Sequence, residues 1–276
     1  MNATVKRSIF GVLFLAVMLG GLLFNEFLYL LLFVLILGTM LYEFYGMTMG
    51  SSYRTLQRAA VGIGALLFLF AYIYFSGERS AWLVGLGMMA ILTLMVGSIL
   101  QKDHTDFQKT GFLYAGLLYI AIPVALSNAV VYRDGAFSGL LMVAFFCIIW
   151  ASDVGAYCFG MLLGQKVWPQ KMCPSISPKK SWAGFWGGLL IAVLAGAILY
   201  WTGLFDFPLW HCLAVAALMH VAGVFGDLFE SLWKRAADIK DSGHIIPGHG
   251  GLMDRFDSAL FAIPAGVFYL QLFGLF

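Results

Sequence analysis

Polar side chains that could bind phosphate gather in one segment of the chain, residues 231–257. Basic residues come first, a Pro-Gly-His-Gly-Gly stretch follows, and the acids Asp254 and Asp257 close the segment three residues apart. Glycine lets backbone amides approach a phosphate closely, and Mg²⁺ is usually held by one or two carboxylates together with substrate phosphates. The segment therefore predicts a magnesium–phosphate site. Zinc is the weaker alternative, because His244 and His249 have no thiolate partner; His249 is expected to hydrogen-bond a phosphate or to shape the turn.

Two further acids lie inside apolar runs. Asp153 and Asp227 occupy different runs, and a rise of about 1.5 Å per residue places both roughly 22–26 Å from the outer ends. An Asp at a helix centre costs roughly 2.5–3.5 kcal/mol, so each acid needs a partner. Either a cation joins the two, or each pairs with a Lys or Arg. Glu230 and Ser231 share the helix face of Asp227, whereas Glu43 is interpreted as a wet interface residue.

The composition indicates the setting in which these side chains work. Hydrophobic residues make up 62% of the 276 and charged residues 11%, whereas a soluble domain carries roughly 25% charged residues. Apolar runs that approach the roughly 20 residues needed to cross a bilayer occur at 8–24, 27–46, 59–75, 80–100, 110–131, 138–160, 183–203, 208–230 and 258–276. We therefore predict an all-α integral membrane protein with about nine transmembrane helices. We expect one polytopic domain, residues 1–276, in which 1–135 are N-terminal spans and 136–276 carry the catalytic spans and loops.

The distribution of basic residues predicts the topology, because Lys and Arg collect in cytoplasmic loops. With nine spans, all but two of the 16 Lys and Arg residues fall on one side, and only Arg79 and Arg133 fall on the other. The N-terminus is thus predicted to be cytoplasmic and the C-terminus outside, with the segment 231–257 facing the cytoplasm. Lys179 and Lys180 precede a helix start, where they are either an anion site or ordinary positive-inside residues.

Three stretches carry a family resemblance. The segment from Ser231 to Asp257 reads Ser-x2-Lys-Arg-x4-Lys-Asp-x5-Pro-x-His-Gly-Gly-x2-Asp-Arg-x-Asp. It resembles the signature of the phosphatidate cytidylyltransferases, also called CDP-diacylglycerol synthases, and departs only at Trp233, where the family has an aliphatic residue or Phe. Residues 177–182 are similar to the family's Ser-Pro-Lys-Lys-Thr-Trp stretch, and residues 153–157 to its Asp-Thr-Gly-Ala-Tyr stretch.

The resemblance implies a reaction in which CTP and phosphatidic acid give CDP-diacylglycerol and pyrophosphate, with Mg²⁺ as cofactor and room for a second, monovalent cation. The implied metal ligands are Asp227, Asp254, Asp257 and Asp153. The residues expected to act in catalysis are Asp227, Asp254, Ser231, Lys240 and Asp241. Those expected to hold the substrates are Lys179, Lys180, Lys234, Arg235, His249, Gly250, Gly251 and Arg255.

The expected partners are CTP, phosphatidic acid and membrane lipid, with no nucleic acid. Small residues four apart, Gly160 with Gly164 and Gly184 with Gly188, permit close helix packing within the chain or in a homodimer. We expect a bacterial protein of the cytoplasmic membrane with its active site facing the cytoplasm.

Two alternative functions stay open at this point. A CTP-dependent polyprenol or phytol kinase would use an alcohol as acceptor and would need a base to activate it. An ion-coupled transporter would use Asp153 and Asp227 as its ion path, although no internal repeat of the kind common in transporters is evident.

Overall fold

The computed structural model describes residues 3–102, 104–133, 135–164, 167–243, 245 and 250–275, with the backbone alone for 3–8. All nine predicted apolar runs are helical. The helices are α1 (Ala3–Leu23), α2 (Glu26–Met49), α3 (Arg54–Phe75), α4 (Ala81–Ile99), α5 (Phe107–Val131), α6 (Leu140–Leu162), α7 (Trp182–Trp201), α8 (Leu209–Ala236), the short α9 (Met253–Phe256) and α10 (Ala259–Leu272).

The predicted fold class, an all-α integral membrane protein, is confirmed. Within the described residues, seven helices, α2 to α8, are long and apolar enough to cross a bilayer. The terminal helices α1 and α10 are also apolar, but α10 has only 14 residues. The number of spans and the orientation of the termini stay predictions.

Short irregular elements interrupt this pattern. α5 contains a 3₁₀ turn at Phe107–Thr110, an α-helical turn at Gly111–Gly116, a π-helical turn at Leu117–Ala121 and a final α-helical part at Ile122–Val131. Two antiparallel hairpins occur where loops were expected: β1 (Tyr132–Arg133) with β2 (Ala136–Phe137), and β3 (Lys171–Cys173) with β4 (Ser177–Ser181).

One boundary error matters for the site. The eighth run was predicted to end at residue 230, but α8 continues to Ala236. The helix therefore includes Ser231, Lys234 and Arg235, which the sequence placed in a loop. Glu230 and Lys234 form an i,i+4 ion pair along this extension, and such pairs stabilise helices.

The chain divides into two compact units, one made of Met1–Ser138 with Ala237–Arg255 and the other of Gly139–Ala236 with Phe256–Phe276. In the first unit, buried polar groups connect the helices: the Tyr29 hydroxyl lies 2.7 Å from Ser127 Oγ and donates to Asn128 Oδ1 at 3.2 Å. Polar groups inside a bilayer must be satisfied by the protein. These bonds therefore fix α2 against α5. The segment 237–255, predicted to work with the C-terminal spans, belongs to this unit.

In the second unit, small residues let α6, α7 and α8 approach closely. A Cβ at Gly184 would lie 2.8 Å from the Ala156 carbonyl oxygen, and one at Gly196 would lie 2.7 Å from the Cys212 carbonyl oxygen. A buried hydrogen bond also connects α8 to α6: His220 Nδ1 lies 2.7 Å from Ser152 Oγ. The small residues of α7 thus pack within this unit.

We expect Gly196→Ala to lower the free energy of unfolding by about 1–3 kcal/mol, because the added methyl group meets backbone rather than a flexible side chain. Gly62→Ala on α3 is the matched control, since nothing lies within 4 Å of its Cβ position. Alanine is also the better helix former there. Thermal unfolding of the purified protein in detergent measures both, and equal effects of the two substitutions would contradict the packing described.

Candidate functional site

In the second unit, a lysine at the end of β4 meets an acid on α8. Lys180 Nζ lies 2.7 Å from Asp227 Oδ2, with side-chain exposures of 21% and 34%, and donates to the Val224 carbonyl at 3.3 Å. Ser231 donates to the other carboxylate oxygen of Asp227 at 3.4 Å. Of the two alternatives for this intramembrane acid, pairing with a lysine is the one present in the structure.

The local sequence explains why Lys180 points inward. Ser181 ends β4 and caps α7, accepting a hydrogen bond from the Gly184 amide at 3.2 Å. Lys180, the residue before this cap, is half-buried against α8, whereas Lys179 is exposed. The two neighbouring lysines differ in role: one pairs with a carboxylate, and phosphate binding by the other stays a prediction.

A second ion pair lies one turn further along α8. Lys234 pairs with Glu230, whose side chain is fully buried. A buried charge needs a partner of opposite charge, and Lys234 supplies it for Glu230. The prediction that Lys234 binds substrate phosphate stays a prediction. Arg235 is exposed and donates from Nε to the Ile176 carbonyl at 3.4 Å, which connects α8 to the β3–β4 hairpin.

Negative charge accumulates in the same unit. Asp257 lies between α9 and α10, half-buried, and accepts a hydrogen bond from the Ser258 amide at 2.6 Å. Burial, together with the charges of Asp227 and Asp153, raises the pKa of the Asp257 carboxyl well above its ordinary range, against the opposing effect of Lys234. Asp227 and Asp153 thus both act on the charge of Asp257, and a cation near Asp257 would offset their repulsion.

The chemistry of these acids fits a hard divalent cation, which prefers oxygen ligands. Within the described ranges, however, no group of three His, Cys, Asp or Glu side chains is already arranged to hold a metal ion. Because Mg²⁺ needs only one or two protein carboxylates, the oxygen donors of Asp227 and Asp257 fit this ion by their chemistry.

In the first unit, Asp254 organises the glycine-rich segment. Its Oδ2 accepts hydrogen bonds from the Gly251 amide at 2.8 Å, and from the Ser242 amide and hydroxyl at 3.0 Å each. Gly250 has φ +84°, and a Cβ there would lie 2.6 Å from Asp254 Oδ2. The segment was expected to offer its amides to a phosphate, yet the Gly251 amide is engaged by the protein's own carboxylate.

Glu43 on α2 is a residue whose position the sequence reasoning misjudged. Interpreted as a wet interface residue, it is instead 6% exposed. Its Oε1 accepts from the Leu252 amide at 3.0 Å and its Oε2 from the Met253 amide at 2.8 Å. The available signal was an acid inside an apolar run, and the error was to assume water as its partner.

The remaining predicted site residues are placed as follows. Lys240, Asp241 and Arg255 are exposed in the first unit. His244 and His249 lie outside the described residues. The predicted set is thus divided between the units: Asp254 and its loop belong to the first, and Asp153, Asp227 and Asp257 to the second. Binding of substrates by any of them stays a prediction.

The fold and these charged residues define a predominantly helical membrane protein. One unit has paired acids and lysines on α8 and β4, and the other has a glycine-rich segment held by carboxylates. A model of the cytidylyltransferase family matches residues 5–273. The chain is similar to the phosphatidate cytidylyltransferase of Bacillus subtilis, 37% identical over 189 residues and 68% of each chain. It is also similar to that of Staphylococcus saprophyticus, 31% identical over 267 residues and 95% of each chain. The chain belongs to the cytidylyltransferase family, as its signature predicted.

We expect Lys180→Met to lower the free energy of unfolding by about 1–3 kcal/mol, because it leaves the half-buried Asp227 without its cation. Lys179→Met is the matched control: its side chain is exposed, and surface substitutions usually stay within about 0.5 kcal/mol. Thermal unfolding in detergent measures the difference. Equal stability of the two variants would argue against a stabilising Lys180–Asp227 pair.

Proposed function

We propose that this chain transfers the cytidylyl group of CTP to phosphatidic acid, giving CDP-diacylglycerol and pyrophosphate. The observation that carries the proposal is the family match over residues 5–273 in a chain whose α8 and β4 bring Asp227 and Lys180 together. The two relatives named phosphatidate cytidylyltransferase supply the substrate class. Both are bacterial, and the apolar helices support a multi-pass membrane protein in a bacterium.

The proposed reaction needs little proton transfer. A phosphate monoester is largely dianionic at neutral pH, since its second pKa is about 6. An oxygen of phosphatidic acid forms a bond to the α-phosphorus of CTP, while the bond from that phosphorus to the oxygen bridging to the β-phosphate breaks. Pyrophosphate leaves with the electron pair of the broken bond.

The difficulty lies in bringing two polyanions together, so charge neutralisation and positioning should dominate catalysis. Exposed basic residues suit the binding of substrate phosphates: Lys179, Arg235, Lys240 and Arg255. Lys180 has a different part in the proposal, because it already holds Asp227. Ser231, which donates to Asp227, would fix the orientation of that carboxylate.

We further propose Mg²⁺ as the cofactor, held in the second unit by Asp227 and Asp257 with Asp153 nearby. When bound, the ion would offset the charge of the leaving pyrophosphate. The surroundings of Asp257 support a cation here, because burial first and the charge of Asp227 second raise the pKa of this carboxyl, and a cation would offset both effects. Asp254, three residues before Asp257 in the sequence, stays a predicted ligand.

The proposed location is the cytoplasmic membrane, with the active site at the inner interface. The bias of Lys and Arg toward one side supports it. At that interface the acyl chains of phosphatidic acid can stay in the bilayer while its head group meets a soluble nucleotide.

The fate of labelled CTP tests the reaction. With phosphatidic acid and Mg²⁺, we expect label at the α-phosphate to enter the lipid and label at the γ-phosphate to leave as pyrophosphate. Chelation of divalent cations should stop both, and added Mg²⁺ should restore them. A lipid kinase would instead transfer the γ-label to an alcohol lipid, and a transporter would leave CTP intact.

Neutralising the acids tests the residues. We expect Asp227→Asn and Asp254→Asn each to lower kcat by about 100-fold or more, because each removes a carboxylate proposed to hold the Mg²⁺ that offsets the charge of the polyanionic substrates. Asp206→Asn is the control, an exposed carboxylate between α7 and α8, at the opposite end of α8 from Lys234. Turnover is measured on purified protein that elutes as a single folded species. Near-parental turnover of either variant would remove that residue from the site.

A further inference from the structure

Glu43 is an acid buried in the first unit, and among the described residues its hydrogen-bond donors are backbone amides and a hydroxyl rather than basic side chains. It lies on α2, a helix of otherwise apolar character, and is 6% exposed. A buried carboxylate in an apolar environment must find strong hydrogen-bond donors. All the donors recorded for Glu43 come from the glycine-rich segment: the amides of Leu252 and Met253 and the hydroxyl of Ser242. Among the described contacts, Glu43 therefore connects α2 to the glycine-rich segment.

The contacts form one continuous set. Three consecutive amides point at carboxylates: that of Gly251 at Asp254, and those of Leu252 and Met253 at Glu43. The Ser242 hydroxyl joins the two acids, 3.3 Å from Glu43 Oε2 and 3.0 Å from Asp254 Oδ2. Glu43 and Asp254 thus share the same short stretch of backbone, so displacing one affects the other.

Glycines make this approach sterically feasible. A Cβ at Gly243 would lie 2.5 Å from Glu43 Oε1, and one at Gly251 would lie 2.7 Å from both carboxylate oxygens of Glu43 and 2.2 Å from Ser242 Oγ. All of these distances are shorter than real Cβ atoms show. Gly243 and Gly251 are therefore explained by close contact with an acid from α2.

We propose that Glu43 is a positioning residue for the reaction: its carboxylate holds residues 251–253 and thereby sets the position of Asp254. The expected effect of Glu43 on the reaction rate rests on the proposed function. Its expected effect on the position of residues 251–253 rests on the hydrogen bonds alone. Glu43 need not touch the substrate. It acts by fixing the backbone next to an acid whose placement catalysis requires.

The structural part is tested by amide hydrogen exchange on the full-length protein in detergent. Glu43→Gln keeps the size of the side chain but replaces one acceptor with a donor, and Glu43→Ala removes both acceptors. We expect the Leu252 and Met253 amides to exchange about tenfold faster in the first variant, and faster still in the second. Glu26→Gln is the matched control: it lies at the other end of α2 and accepts a hydrogen bond from the Tyr132 hydroxyl at 2.9 Å.

The kinetic part uses the same proteins, with rates expressed per folded molecule. We expect kcat to fall about tenfold or more in Glu43→Gln, and further in Glu43→Ala, while the KM values for CTP and phosphatidic acid stay within about threefold. A residue that only stabilises the fold would lower the folded fraction and leave the rate per folded molecule unchanged.

The outcomes separate the two hypotheses. Unchanged exchange at residues 251–253 in Glu43→Gln overturns the structural part, and faster exchange with an unchanged kcat overturns the positioning role. A loss in Glu26→Gln equal to that in Glu43→Gln also counts against it. If the parent protein forms no CDP-lipid, the proposed function fails, while the exchange comparison still decides whether Glu43 holds the segment.

Discussion

A carboxylate inside an apolar helix bundle has to be neutralised or fully hydrogen-bonded, because the bilayer offers it no water. Three acids of this chain meet that requirement in different ways. Asp227 pairs with Lys180, Glu230 pairs with Lys234, and Glu43 accepts hydrogen bonds from two backbone amides and a hydroxyl. The partners of Asp227 and Glu43 tie a long apolar helix to a polar segment and so help to determine where that segment lies, whereas the Glu230–Lys234 pair lies within α8.

The same requirement changes the interpretation of the basic residues. A lysine close to a phosphate-binding signature suggests a direct contact with substrate, yet Lys180 and Lys234 both have carboxylate partners in the described structure. A substrate phosphate would therefore have to compete with these carboxylates for the two lysines. Lys179, Lys240 and Arg255 are exposed, and among the described residues none of the three forms an ion pair with a buried acid. The charged residues thus divide into those that hold the protein's acids and those available to an anionic ligand.

Hydropathy and composition predicted the helical membrane fold and the position of each apolar run, because these depend on local sequence alone. The end of α8 was misjudged since the first charged residues were interpreted as the start of a loop, whereas the Glu230–Lys234 pair lets the helix continue to Ala236. The family signature predicted the family and pointed to Asp254. The role of Glu43 was not predictable in this way, because its partners Ser242 and Met253 lie 199 and 210 residues away in sequence.

The contact between α2 and the glycine-rich segment has a consequence for how distant relatives are recognised. Gly243 and Gly251 leave room for a carboxylate that comes from a helix far upstream. A chain could keep these glycines but carry an apolar residue at the position of Glu43. It would then match the sequence signature but lack the carboxylate that holds the glycine-rich segment. Transfer of an activity between such sequences should therefore examine the second helix together with the motif, since Glu43 and residues 251–253 form one hydrogen-bonded unit from two distant stretches of the chain.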